Sequence, residues 1–275
     1  MKYKNLLLLL LINTCLAFSQ KSNKQFSFRS LTVDKGLSQN SVISISQDSL
    51  GYLWLATQDG LNKYDGKDFK IFNKQFEDIT KPTFSKLGKT YIDREGVLWI
   101  ITNSGQLEKF DAKRKVFDRV STINQVSTVF QDAKLDFYIG TYANGLYKIN
   151  HKSKDTTQVF SSNLTVNDFL EFDNSIYVTT NEKVYSIQAD AITTVAIENG
   201  DENFSALVSS KNQTLWLGSY GNGLYYKPKE SASFIKYKDS ATGSATDNLI
   251  IQDLLIDKED GLWIATYGDG LYLID

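Results

Sequence analysis

Hydrophobic and polar positions along this chain fall into short strand-like runs that repeat. Val42–Gln47 (VISISQ) alternates apolar and polar residues, the period-2 mark of a β-strand. Asp48-Ser49-Leu50-Gly51 follows as a turn. Tyr52–Thr57 (YLWLAT) is nearly all apolar, as a strand buried on both faces should be. Gln58-Asp59-Gly60 turns the chain into Leu61–Tyr64. Asp65-Gly66-Lys67 then turns it into Phe69–Phe72. The pattern predicts four antiparallel strands joined by three tight hairpins.

That unit recurs. WLATQDGLNKYD begins at Trp54, WIITNSGQLEKFD at Trp99 and YIGTYANGLYKIN at Tyr138. YVTTNEKVYSIQ begins at Tyr177, WLGSYGNGLYYK at Trp216 and WIATYGDGLYLID at Trp263. The anchor aromatics at 54, 99, 138, 177, 216 and 263 are spaced by 45, 39, 39, 39 and 47 residues. A period of roughly 40–45 residues with four strands each is the signature of a β-propeller blade. Asp stands six residues before the anchor at 48, 93, 132 and 257, and Gly stands in the second turn at 60, 105, 145, 223 and 270. These positions predict turn geometry, and the anchor rings predict packing between neighbouring blades. The fourth repeat has Asn181-Glu182-Lys183 in place of the glycine turn and a shortened Asp173-Asn174-Ser175 turn, which predicts a less regular blade.

The sixth repeat holds three strands by Asp275, while Phe26–Val33 (FSFRSLTV) is strand-like and unassigned. We therefore expect an all-β propeller of six four-stranded blades, closed by pairing of this N-terminal strand with the last blade. The alternative is a truncated piece of a larger propeller. Asn73–Lys86 is the longest predicted connection.

Composition narrows the function. Aromatics make up 13% of the 275 residues, with 15 Tyr and 16 Phe against 2 Pro and 1 Met, a strand-rich balance. Lys2 and Lys4 precede the apolar run Leu6–Ile12, and Ala17-Phe18-Ser19 offers small residues for cleavage before Gln20. This predicts a signal peptide over 1–19 and an exported, periplasmic domain over 20–275. Cys15 opens a lipoprotein alternative, less favoured because no small residue precedes it. As the only cysteine, it leaves the mature domain without disulfides, so packing and strand pairing must hold the fold. There are 30 basic and 32 acidic residues; without Lys2 and Lys4 the balance is 28 against 32, with no run of like charge. That argues against a nucleic-acid partner.

The opening LTVDKGLSQNSVISISQDSLGYLWLATQDGLNKYDG and the recurring D-x-x-G-x-L-W-hydrophobic-x-T-x-x-G-L resemble the two-component regulator propeller repeats over about Phe26–Asp275. Such repeats form the periplasmic sensor region of Bacteroidetes-type hybrid sensor histidine kinases. The resemblance implies a ligand-sensing propeller, with a glycan as one ligand class, partnered with a membrane histidine kinase or another periplasmic protein. Kinase activity would reside outside these residues. His151, the only histidine, falls in a polar turn and not in the helical setting a phosphoacceptor needs.

Blade geometry places the turn between strands two and three on one face of the ring. That face presents Gln58 and Asp59, Asn103 and Ser104, Tyr142 and Asn144, Tyr220 and Asn222, and Tyr267 and Asp269. Tyr rings beside Asn and Asp suit stacking on a sugar and bonding its hydroxyls, so these are the candidate ligand residues. The plainer reading packs each Tyr against the next blade. No catalytic residue, metal ligand or cofactor is assigned. A propeller enzyme of the metal-dependent lactonase or lyase type and a protein-interaction scaffold are the alternatives.

Overall fold

A computed structural model describes residues 26–73, 87–120, 122–161, 163–198, 203–238 and 246–274. The chain divides into two compact units at Thr32. The signal peptide expected over 1–19 lies outside the described residues, as does most of the long connection after Asn73. Among the described residues no helix is long and apolar enough to cross a membrane.

The second unit is a six-bladed β-propeller. Its innermost strands are Val42–Gln47, Leu87–Ile92, Val126–Gln131, Val166–Phe172, Phe204–Ser209 and Ile251–Ile256. Each is followed outward by antiparallel neighbours in chain order. The first blade has the expected strands: Val42–Gln47, Leu53–Thr57, Gly60–Tyr64 and Phe69–Phe72. Blade five takes a short fifth strand, Ala196–Ile197, which runs parallel to Ser233–Lys236.

Packing between blades follows one rule. The third-strand residue Leu61 sits in a cluster with Leu87 of the next blade, and Leu107 pairs with Val126 in the same way. Leu146 meets Val166, Val184 meets Phe204, and Leu224 meets Ile251. Five of the six anchor aromatics, at 54, 99, 138, 177 and 216, join these clusters, Trp54 with Leu98 and Phe110, Trp216 with Leu254 and Ile264. The contact is close. A Cβ on Gly140 would lie 2.6 Å from Val166 Cγ1, so only glycine lets blades three and four approach this far.

Two expectations need correction. Blade four is not less regular: Val166–Phe172 and Ser175–Thr180 pair from end to end with one bulge at Val166/Asp168, as in the other blades, and are joined by Asp173 and Asn174 at φ of 50° and 58°. Two consecutive positive φ values make the tight hairpin turn that matches strand twist, and Asp and Asn tolerate it. The closing strand is not formed either. Blade six holds three strands, Ile251–Ile256, Leu262–Thr266 and Leu271–Ile274, and residues 26–32 adopt no strand. Alternation alone does not make a strand without a ladder of backbone bonds. Val33 has its backbone engaged elsewhere: its N–H donates to Asn40 Oδ1, and its carbonyl accepts from Gly36 in a short 3₁₀ turn.

Candidate functional site

Two side-chain devices recur at the ends of the blades, the first in blades one, two, three and six. At the first turn, Asp93 Oδ1 accepts the N–H groups of Glu95 at 3.0 Å and Val97 at 2.8 Å, while Oδ2 accepts Trp99 Nε1 at 2.7 Å. Asp48 with Trp54 and Asp257 with Trp263 repeat the tie at 2.9 and 2.8 Å. In blade three the anchor is Tyr138, and Asp132 serves only the turn N–H groups of Lys134 and Asp136. At the opposite end a hydroxyl locks the turn between strands two and three. Thr57 Oγ1 donates to Gly60 O, Thr141 to Gly145 O, Ser219 to Gly223 O and Thr266 to Gly270 O. These carboxylates and hydroxyls are committed to structure.

The site lies on the axis. All six innermost strands carry a register shift at the same level, beside their first residue: Val42/Ser44, Leu87/Thr90, Val126/Thr128, Val166/Asp168, Phe204/Leu207 and Ile251/Asp253. Such bulges leave an extra residue and re-aim side chains. Here they turn non-core residues toward a central cavity of about 430 Å³. Lys89, Thr128, Asn167, Asp168, Gln252 and Asp253 line it, with Ser44 and Ser205 beside them.

Electrostatics single out two carboxyls. Burial pushes Asp168 up to about 6, against the pull of the Leu207 N–H bonded to Oδ2 at 2.9 Å. Asp253 is raised by desolvation although the residue is exposed on the cavity wall; the Leu254 N–H and the Lys89 ammonium act the other way. Burial raises the Tyr220 hydroxyl, with Asp168 and Asp253 adding to the effect. The channel therefore presents two carboxyls that burial holds above the usual carboxylate range, one lysine, amides and hydroxyls.

Of the residues expected at the ligand face, Tyr220 lines this cavity. Tyr142 is near enough for its charge to bear on Tyr220. The tyrosines are not packed away against the next blade: Tyr142, Tyr220 and Tyr267 are 50%, 41% and 71% exposed. Asn144 Nδ2 donates to Gln125 Oε1 at 3.2 Å, and Asn222 gives its N–H to Ser219 Oγ. Asp59 donates its N–H to Thr57 Oγ1. Gln58, Asn103, Tyr267 and Asp269 lie in the equivalent turns of blades one, two and six, spread around the rim and outside the cavity lining. His151 sits in the turn after Leu146–Ile149, where its N–H donates to Asp136 Oδ1. Among the described residues no three His, Cys, Asp or Glu side chains are placed to hold a metal.

Sequence reasoning missed Lys89, Asp168 and Asp253. The signal was present: G-K, S-T, N-D, S-A and Q-D each put two successive small or polar residues where strict alternation allows one.

With this geometry in view, residues 36–59 match the family model described as Two component regulator propeller. Residues 36–59 carry one copy of the two-component regulator propeller repeat. Over 66 residues it is 54% identical to histidine kinase P4 of Formosa agariphila, which is 24% of this chain and 5% of that protein. Among solved structures it resembles the extracellular domain described as a hybrid two component system of B. thetaiotaomicron. The TM-score is 0.71 and the identity 21%, over 90% of this chain and 35% of that one. A second such domain gives 0.60 and 19%, over 90% and 39%. Streptogramin B lyase gives 0.65 at 13% identity, over 87% of this chain and 84% of that one. Likeness at these identities is a likeness of fold. The propeller chain thus spans a small part of the kinase it matches and well under half of the extracellular domains.

Proposed function

We propose that this propeller is a non-catalytic, periplasmic ligand-sensing module of a two-component signalling system, exported after removal of residues 1–19. The observation that supports it best is the level of bulges around the axis. Six strands give up regular pairing at one height, and five of the six bulges carry a polar or charged residue into a shared cavity. A pure scaffold has no use for such a lining, because buried polar groups carry a desolvation cost that a partner must offset. Carboxyls and amides in one cavity with the half-exposed Tyr220 suit an oligosaccharide, whose hydroxyls accept and donate and whose ring faces stack. The signal would pass to a membrane histidine kinase or another periplasmic protein.

Isothermal titration with a panel of neutral and amino-sugar oligosaccharides tests the ligand. Saturable binding that is lost in Asp168→Ala or Tyr220→Ala is the expected result. A panel that gives no heat and no shift in melting temperature overturns it. Pull-down of a membrane histidine kinase from the native host tests the output separately.

A further inference from the structure

The first-turn aspartates leave one carboxylate oxygen in blade three without its usual donor. In blades one, two and six Oδ2 accepts the indole N–H of the anchor tryptophan at 2.9, 2.7 and 2.8 Å. Blade three keeps the aspartate and loses the indole, because its anchor is Tyr138. Asp132 Oδ1 takes the N–H groups of Lys134 and Asp136 at 2.9 and 2.8 Å. Among the described residues no donor reaches Oδ2. Asp132 is only 5% exposed, and a carboxylate oxygen left unpaired at that depth is costly.

A second nitrogen is diverted as well. In blade one, Lys63 pairs with Trp54 across the sheet. Its ammonium lies 4.0 Å from Asp48 Oδ2 and 3.7 Å from the centroid of the Tyr52 ring. An ammonium beside this carboxylate therefore has a precedent within the molecule. Lys148 holds the same place opposite Tyr138. Two residues before the anchor, however, blade three has Asp136 where blade one has Tyr52. Lys148 is drawn to Asp136 Oδ2 at 3.1 Å and to Asp190 at 3.5 Å.

Asp132 opens on a groove of about 370 Å³ between blades three and four, which shares no lining residue with the axial cavity. Tyr138, Ile176 and Ile187 give it an apolar wall. Its other carboxylates are paired, Glu171 with Arg94 at 2.6 Å and Asp190 with Lys148. Lys134 also lines the groove but is solvent-exposed, where water weakens its charge. Burial raises the Asp132 carboxyl, against the N–H bonds it accepts, and the charges of Asp136 and Glu171 add to the rise. A site that draws a proton in this way also draws a fitting cation.

We propose that this groove is a second binding site, for a primary ammonium carried on an alkyl chain. Asp132 Oδ2 accepts from the ammonium where other blades bond their own indole, and the chain lies along Tyr138, Ile176 and Ile187. The bond is charge-assisted on both sides. A single free oxygen suits the point charge of an ammonium, whereas a guanidinium fork needs two acceptors side by side.

NMR titration of the full chain with cadaverine tests this, read at the backbone amides of Lys134 and Asp136. Saturable shifts at both are expected. Pentanol, a similar chain without the charge, should leave them in place. Tyr138→Trp restores the internal donor and should weaken binding about tenfold or more without lowering the melting temperature. Asp132→Asn, which replaces the acceptor by an amide N–H, should weaken it as much. A blocked lysine peptide run in parallel separates the sources. A response to cadaverine alone assigns a small amine, and a response to the peptide alone assigns a lysine side chain of a protein partner; either supports the site. No shift with either amine overturns the proposal. Equal shifts with pentanol, or undiminished binding in both variants, overturn it too.

Discussion

Blades two and four solve one problem by different means. Both must hold their first two strands in a tight hairpin and present an aromatic to the next blade. Blade two does it with side chains: Asp93 holds two turn N–H groups and the Trp99 indole, and Gly96 takes φ of 79°. Blade four does it with backbone. Asp173 and Asn174 turn in two residues, Phe172 pairs directly with Ser175, and Tyr177 stands where the tryptophan would be. The comparison separates two functions that the repeat motif fuses. A hairpin does not need the Asp–Trp tie, but the tie couples the hairpin to the interface with the next blade.

The largest expected effect tests that coupling. Trp99 packs on Phe137 of blade three with ring centroids 4.7 Å apart. Trp99→Ala should cost about 3–4 kcal/mol by chemical denaturation; an unchanged midpoint would show that the ring carries no interface. Asp93→Ala comes next, at about 2–3 kcal/mol, because it strands three donors in a site only 6% exposed. Asp173→Ala should cost well under half of that. If the two losses were equal, the contrast between side-chain and backbone turns would be wrong.

The blades also differ at the axis, where blade two contributes Lys89 and blade four Asp168. The folded protein holds the Asp168 proton more tightly than the unfolded chain does, with the carboxyl raised from 3.8 to about 6. The ionised form is therefore a burden on the fold that is absent below about pH 4, grows between about pH 4 and 6 and is full above. Asp168→Asn should stabilise the protein by on the order of 2 kcal/mol at pH 8 and by almost nothing at pH 4. A pH-independent gain would remove Asp168 as the titrating group. The smallest effect belongs to the two-residue turn. Asn174→Gly should change stability by about 0.5 kcal/mol or less, since both residues accept positive φ.

Much of this fold was legible because each blade repeats its own punctuation. Asp48, Gly51, Trp54 and Gly60 mark two turns and the strand between them in the sequence itself, and the strands of blade one fall within a residue of expectation. The Asp–Trp bond was readable in principle from the constant spacing of six. Phe26–Val33 misled because alternation reports a face to bury, not a partner to pair with, and Val33 finds its bonds in Asn40 and Gly36. Asn181-Glu182-Lys183 misled in the other direction. Thr180 Oγ1 accepts the N–H groups of both Glu182 and Lys183 and closes that turn without glycine. The axial residues were hidden because a bulge is set by how six strands crowd one axis, which no single repeat records.

That crowding has a consequence for how such a protein changes over time. At the bulges, side chains leave the strict alternation of the strand, and the pairs Gly88-Lys89, Ser127-Thr128, Asn167-Asp168, Ser205-Ala206 and Gln252-Asp253 differ between blades that are otherwise alike. The lining can be rewritten one position at a time while the aspartates, threonines and tryptophans that shape each blade stay as they are. A lineage could exchange one stimulus for another by substitutions along the axis without redesigning the wheel around it.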